Sequence, residues 1–305
     1  MKTFAEKPTG IIDRTDLKTF KGQFVYWLII FVLIVVCVAS FIPAVWTLFT
    51  GFKTSQEIYT STKFFPEGLS LSKIREALSV AWKAMDASRA SLNTIYISIM
   101  STVFTIFIDG LGGYVLSRLK PKGSKLVFAL IVWTMMMPGQ IRTVPLFISY
   151  MKWPFIADFN WEVSLMNTYW PMILGSTTSA FTVMLFKNSF DAVSISLIEA
   201  AKLDGCSNIE LFFKIMVPLN IPIIMFVAIG TMRGPWGNFF SPYLILTDKN
   251  KYTLPVKIFQ LKTDSSIKMN TYLLCLIMSS IPGLAIFIAF QKYIVGGINV
   301  GGVKG

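Results

Sequence analysis

From Gly22 to Phe52 the chain runs 31 residues without one charged side chain. As a helix at 1.5 Å per residue that run exceeds the roughly 30 Å of a bilayer's hydrocarbon core. Four more uncharged windows follow at Leu126–Ile141, Val163–Phe186, Ile215–Met232 and Met269–Gln291, and a sixth, Ala90–Ser117, is interrupted only by Asp109. The whole chain is 54% hydrophobic and 14% charged, far from the near one-quarter charge of soluble domains. These features predict an all-α, polytopic membrane protein with six transmembrane helices, at about 25–49, 91–116, 126–147, 164–186, 216–240 and 269–291. Trp27 and Trp46, about 28 Å apart along a helix, bracket the first span as an aromatic belt. That first run is too long for a signal-peptide core and reads as an uncleaved anchor.

Six spans put both termini on one side, with a tail at 1–24 and another at 292–305. Lys and Arg divide equally, 14 to each side, so charge counting alone does not orient the chain. The compact cluster "SRLKPKGSK" and the basic N-tail point to a cytosolic location for the termini. A net charge of +12 suits contact with anionic lipid headgroups and, in so apolar a chain, gives no reason to expect nucleic acid as a partner.

Little chemistry is legible. The chain has no His, and Cys37, Cys206 and Cys275 lie too far apart in sequence for a zinc motif, so neither a metal site nor a catalytic residue is expected. The terminal "GGINVGGVKG" lacks the Lys and Ser/Thr of a phosphate loop and reads as a tail.

One polar stretch is unlike the rest. "SLIEAAKLDGCSNIELFFKIMVPLNIP", Ser196 to Pro222, lies between two bilayer-crossing runs. Ser194 or Ser196 can cap a short helix through Leu197, Ile198 and Ala201 that ends at Gly205 in a left-handed turn. Ser207 and Glu210 have capping-box spacing for a second helix, which meets the fifth span at Pro218 and Pro222. The pattern predicts a helix–turn–helix knob on the membrane surface, fused to a spanning helix.

Within that knob, "EAAKLDG" is followed, after the nine residues Cys206 to Lys214, by Ile215 and then Pro218. This order resembles the EAA signature of ABC importer permeases, E-A-A-x-x-x-G, nine residues, then I-x-x-x-P or I-x-x-P. "SLNTIYIS", "GGYVLSRLKPKG", "MMMPGQIRTVPLF", "PWGNFFSPYLILTDKNKYTLPV" and "QKYIVGGINVGGVKG" resemble the sugar-importer branch, similar to the smaller permease subunit of maltose-type systems, over roughly Phe24 to Gly305. The resemblance implies a permease domain at 25–291 in a bacterial cytoplasmic membrane, with a cytosolic coupling loop at 188–218. It implies a second permease, two cytosolic ATPase subunits that hold ATP and Mg²⁺, an extracytoplasmic solute-binding protein and a sugar substrate. It assigns ATPase coupling to Glu199, Ala200, Ala201, Asp204, Gly205, Ile215 and Pro218, with Glu199 in polar or ionic contact with the ATPase and Gly205 shaping the turn. The loop "LTDKNKYTLPVKIFQLKTDSSIK" corresponds to one that meets the binding protein in maltose-type permeases.

Asp109 and Arg233 are ionisable residues at membrane depth; Asp109 is expected to face the bundle, and the structural reading of both is pairing with each other or with a partner permease. Gly230 and Gly234 form a G-x-x-x-G face around Arg233. A helix break at Pro235–Trp236–Gly237 would let Trp236 and Asn238 serve a sugar by ring stacking and hydrogen bonding, so these two, with Asp109 and Arg233, are the candidate translocation path. Two alternatives remain open at this stage: an ABC permease for a non-sugar solute, and an ion-coupled carrier with Asp109 as its coupling carboxylate. Outside the spans, "LSKIREALSVAWKAM" places Ile74, Leu78, Ala81, Trp82 and Met85 at helical spacing, as in a surface helix.

Overall fold

The computed structural model describes residues 16–152, 163–177 and 179–295, with side chains to 291. The "GGINVGGVKG" tail and the first 15 residues lie outside the described residues. Among the described residues no β-strand forms.

Helices α1 (Phe20–Gly51), α2 (Ser55–Thr60), α3 (Leu71–Ala84) and α4 (Ala87–Tyr114) open the chain, and a π-helical turn, Val115–Leu119, extends α4. There follow α5 (Ser124–Met135), α6 (Thr143–Met151), α7 (Trp170–Ser176), α8 (Ala180–Asp191), α9 (Ile195–Leu203) and α10 (Asn208–Leu211). A second π-helical turn, Phe212–Met216, leads to α11 (Val217–Leu219), α12 (Ile221–Gly237), α13 (Phe240–Ile245), α14 (Leu254–Thr263) and α15 (Met269–Val295). Helices α1, α4 with its extension, and α15 are each long and apolar enough to cross a bilayer unbroken. Three bent pairs bring the possible spans to six.

The helices α4, α8 and α12 form the centre of the molecule, with α15 against α12 and α1 outermost along α15. Large apolar side chains such as Phe31, Val32 and Phe41 stand exposed along α1. In lipid they cost nothing, because hydrocarbon tails are the solvent there.

Three spans differ from the uniform helices expected. The third bends by 104° between α5 and the 3₁₀ turn Gly139–Arg142, where Pro138 cannot donate a helical hydrogen bond. The fourth is divided between α7 and α8, with Thr177 capping the first piece and Ser179 the second. The fifth begins only after an 81° bend at Asn220, so residues 217–219 belong with the knob. Its expected break at Pro235 does not occur: α12 continues to Gly237 and ends at Asn238, the ring of Pro235 being accommodated in its last turn.

The G-x-x-x-G face is also corrected. A Cβ added at Gly230 or Gly234 would meet nothing within 4 Å. Close helix contacts lie instead at Gly51, where a Cβ would stand 2.8 Å from the Leu274 side chain of α15, and in α4, where a Cβ on Gly113 would stand 2.6 Å from Phe186 Cβ and 2.9 Å from the Lys187 nitrogen of α8. The backbones of α4 and α8 approach so closely only because that atom is missing. Helix α3 lies as expected, with Ala81 and Met85 buried and Ile74 and Leu78 half-buried along one side. Its Trp82 turns half out, the indole donating to Ser88 Oγ at 3.1 Å.

Overpacking the α4–α8 contact should be costly. Gly113→Val is expected to destabilise the purified protein by about 1–3 kcal/mol, read as a lowered thermal midpoint in detergent, whereas Gly230→Ala should leave the midpoint unchanged.

Candidate functional site

Helix α8 stops at Ala192 and the chain turns by 76° into α9, which therefore runs across the bundle rather than along it. Ser194 occupies the N-cap of α9 but its side chain caps nothing; its hydroxyl lies 2.6 Å from that of Ser196. At the other end the Cys206 N–H donates to Ala201 O and the Gly205 N–H to Lys202 O, both at 3.0 Å, with Gly205 at φ +84°. That double bond with a left-handed residue between is a Schellman stop, and Gly205 adopts its conformation without the cost a β-carbon would bring. The expected capping box follows: Ser207 Oγ accepts from the Glu210 N–H at 3.3 Å, and Glu210 accepts from the Ser207 N–H at 3.0 Å. Lys214 joins it at 2.8 Å. Together the Lys214 ammonium and the Ser207 donors hold the Glu210 carboxyl down at about 2.

The second arm contains the π turn, in which the Val217 N–H reaches back to Phe212 O. This wide turn absorbs Pro218, which has no N–H to return. Ile215 lies within it, half-buried against the core below the knob. That core joins Ile198, Ala201, Leu211, Phe212 and Met216 to Tyr114, Phe186 and Phe190. The base of the knob is closed twice. Tyr114 donates its hydroxyl to Asn208 O at 3.0 Å, and Ser189 donates to Asn220 Oδ1.

The knob thus has two faces. Ala201 packs inward, while Glu199, Ala200, Asp204 and Gly205 are exposed. Apolar side chains share that outer surface: Leu203 is 89% exposed, Ile209 71%, Ile195 65% and Phe213 51%. In water such a group of side chains is costly unless another protein covers it.

Between α4, α6, α7, α8, α12 and α13 lies a cavity of about 480 Å³. Its wall mixes apolar residues such as Phe147 and Phe240 with hydroxyl groups from Ser101, Tyr150, Thr231, Ser241 and Thr253. Ser101 and Thr253 are fully buried and their hydroxyls have no hydrogen-bond partner within the chain. Unpartnered hydroxyls in so dry a setting call for a polar guest or water. Gly230 and Gly234, which pack against nothing, open this space.

The four membrane residues singled out by sequence are not one constellation. Asp109 is 1% exposed on α4, receives the Ser179 backbone N–H at the start of α8, and makes no ion pair with Arg233. The helix N-terminus, with its partial positive charge, is its partner. Arg233 is exposed on α12 beside an apolar groove that includes Phe226 and Phe287. Trp236 packs toward α3, α14 and α15 and lines a second pocket with Phe259 and Tyr272, while Asn238 lines the hydroxyl-bearing cavity. Trp236 and Asn238 therefore do not line one common pocket in this chain.

Sequence reasoning also missed how the loop after α13 is held, at the end of the bundle away from the knob. Asn167 Oδ1 accepts from the Thr247 and Asp248 N–H groups at 3.2 and 3.0 Å, and Lys251 Nζ donates to Asn167 O at 2.8 Å. Asn93 of α4 donates to Asn250 O and Tyr252 O. Asn167 itself stands at φ +56°, a conformation Asn tolerates, and that tolerance was the only available signal.

Two consequences for the knob can be measured. Gly205→Val places a branched side chain in the left-handed region at a cost on the order of 1–2 kcal/mol, and should speed hydrogen exchange at residues 203–206. Because the folded Glu210 carboxyl titrates near 2 and its ordinary value is 4.5, the charged cap acts fully above about pH 4.5 and fades as pH falls toward 2. Hydrogen exchange at residues 207–211 should speed up over that window, and Glu210→Gln should remove the dependence.

The family described as "Binding-protein-dependent transport system inner membrane component" matches residues 109–300. The chain is 29% identical over 295 residues, covering 96% of itself and 92% of the relative, to a probable ABC transporter permease protein, YurM, of Bacillus subtilis. It is 32% identical over 213 residues, 70% of itself and 73% of the relative, to the arabinooligosaccharides transport system permease protein AraQ of Halalkalibacterium halodurans. In fold it is similar to a chain of a solved bacterial ABC transporter involved in importing the acidic polysaccharide alginate, with a TM-score of 0.75 over 90% of this chain and 98% of that one, at 20% identity. With the family matched over well more than half its length and a helical fold to suit, this chain belongs to the inner membrane components of binding-protein-dependent transport systems.

Proposed function

We propose that this chain is one of two permease subunits in an ATP-driven importer of a sugar or oligosaccharide, with its knob and both termini in the cytosol. Two ATPase subunits bind and hydrolyse ATP with Mg²⁺, and an extracytoplasmic binding protein delivers the solute. The observation that carries this reading is the outer face of the knob, where Glu199 and the exposed apolar residues around Leu203 are held on a stiff, doubly closed base. A cytosolic ATPase covers that face, and its ATP-driven movement pushes the knob.

The sugar assignment is supported by relatives named for the transport of arabinooligosaccharides and of melibiose, raffinose and stachyose. The hydroxyl-lined cavity suits a solute of that chemistry. An ion-coupled carrier fits less well, because Asp109 is engaged by the start of α8 and is not part of the cavity wall.

Uptake by the reconstituted complex should require ATP and the binding protein and should survive collapse of the proton gradient. Transport by this subunit alone under an ion gradient would refute the reading. Cys206, partly exposed beside Gly205, should react with a membrane-impermeant maleimide in inside-out vesicles and not in intact cells, with less labelling when the ATPase is bound. Labelling from outside intact cells would reverse the orientation.

A further inference from the structure

Helices α4 and α8 run parallel and are joined by polar contacts along their shared length. Thr105 Oγ1 donates at 3.1 Å to Ser176 O, at the end of α7 just before α8, and Asp109 receives the Ser179 N–H at the start of α8. Gly113 brings the backbones together at Phe186. One turn further, fully buried Ser117 donates to Asp191 Oδ1 at 2.6 Å. The Arg118 guanidinium then donates to Phe190 O and Val193 O. Helix α4 therefore offers a carboxylate to the N-terminus of α8 and a cation to its C-terminus, the two placements that a helix dipole favours. Arg118 also adds a donor to Phe190 O in the last turn of α8 and one to Val193 O just beyond it. Val193 lies two residues before α9, so the guanidinium holds the hinge from which the knob projects. At its far end α4 supplies Ile97 and Ser101 to the cavity wall.

We propose that Arg118, with Ser117 and Asp109, locks α4 and α8 into one lever, so that a push on the knob moves the cavity wall. Arg118 is a positioning residue: it touches neither ATP nor solute and acts through α8. The proposal rests on the importer reading above and adds the path by which force crosses the membrane domain. One terminal nitrogen of the guanidinium donates to both carbonyls, so a single planar group ties the end of α8 to the hinge.

The test measures ATP hydrolysed per solute imported by the full reconstituted complex. Arg118→Met should raise that ratio about fivefold or more, the lower end of typical coupling factors, with the complex still assembled; Arg118→Lys should recover part of the loss. A merely structural role would lower hydrolysis and uptake together at constant ratio, and that result overturns the lever. As a second measurement, Ser117→Cys and Asp191→Cys are combined in a chain with Cys37, Cys206 and Cys275 replaced by Ala. The pair should form a disulfide on mild oxidation, and the oxidised complex should import as the reduced one does. No disulfide, or uptake lost on oxidation and restored by reductant, means that the helices separate or slide, and sinks the proposal. If the unmodified complex shows no ATP-driven uptake, it is the importer reading that fails; ATP-driven uptake with an unchanged ratio in Arg118→Met overturns the lever alone.

Discussion

The core of a bilayer offers no water to a peptide group, and every structural choice in this chain follows from that. Each N–H and C=O at membrane depth has to find its partner within the protein, so the apolar runs become helices and their greasy side chains face outward. Where a helix breaks, the freed groups need protein or a polar cavity beside them. The α7–α8 junction and the end of α12 at Asn238 border the same hydroxyl-lined space, and α6, which follows the Pro138 bend, supplies Thr143 and Phe147 to its wall. The breaks and the cavity are one feature: irregular backbone is tolerated where it faces an interior that can solvate it.

That arrangement leaves the centre of the molecule dependent on α4. It contacts α8 through the missing β-carbon of Gly113, α12 along its length, and the loop after α13 through Asn93. Its C-terminal end meets the knob and its hinge through Tyr114 and Arg118, and its middle lines the cavity. A helix in this position joins the exposed apolar surface of the knob to the hydroxyl-lined cavity. The knob itself is stiffened by local chemistry, a Schellman stop at Gly205 and a capping box at Ser207 and Glu210, so a displacement there is passed on rather than absorbed.

Much of this was legible from the residues. Uncharged runs of bilayer length set the solvent and the helical class, and cap residues announced the knob because capping is a local matter, settled by neighbours three or four positions apart. The glycine at 205 needed no tertiary context to be read as a left-handed turn. The family signature in "EAAKLDG", Ile215 and Pro218 lay in the same local stretch.

What sequence could not decide was which side chains meet across the bundle. Asp109 and Arg233 looked like natural partners as the two charges at depth, yet one sits at the start of α8 and the other on the outer face of α12. Gly230 and Gly234 have the spacing of a packing motif and line a cavity, while a close contact falls at Gly113, which carries no such motif toward α8. Trp236 and Asn238, two positions apart, enter different pockets because successive helical positions point about 100° apart and the helix ends between them. The sequence by itself determined solvent, class and caps, since these depend on composition and near neighbours. Only the tertiary structure decided the α4–α8 pairing, the cavity and the clamp at Arg118, because those depend on how helices distant in sequence come to lie side by side.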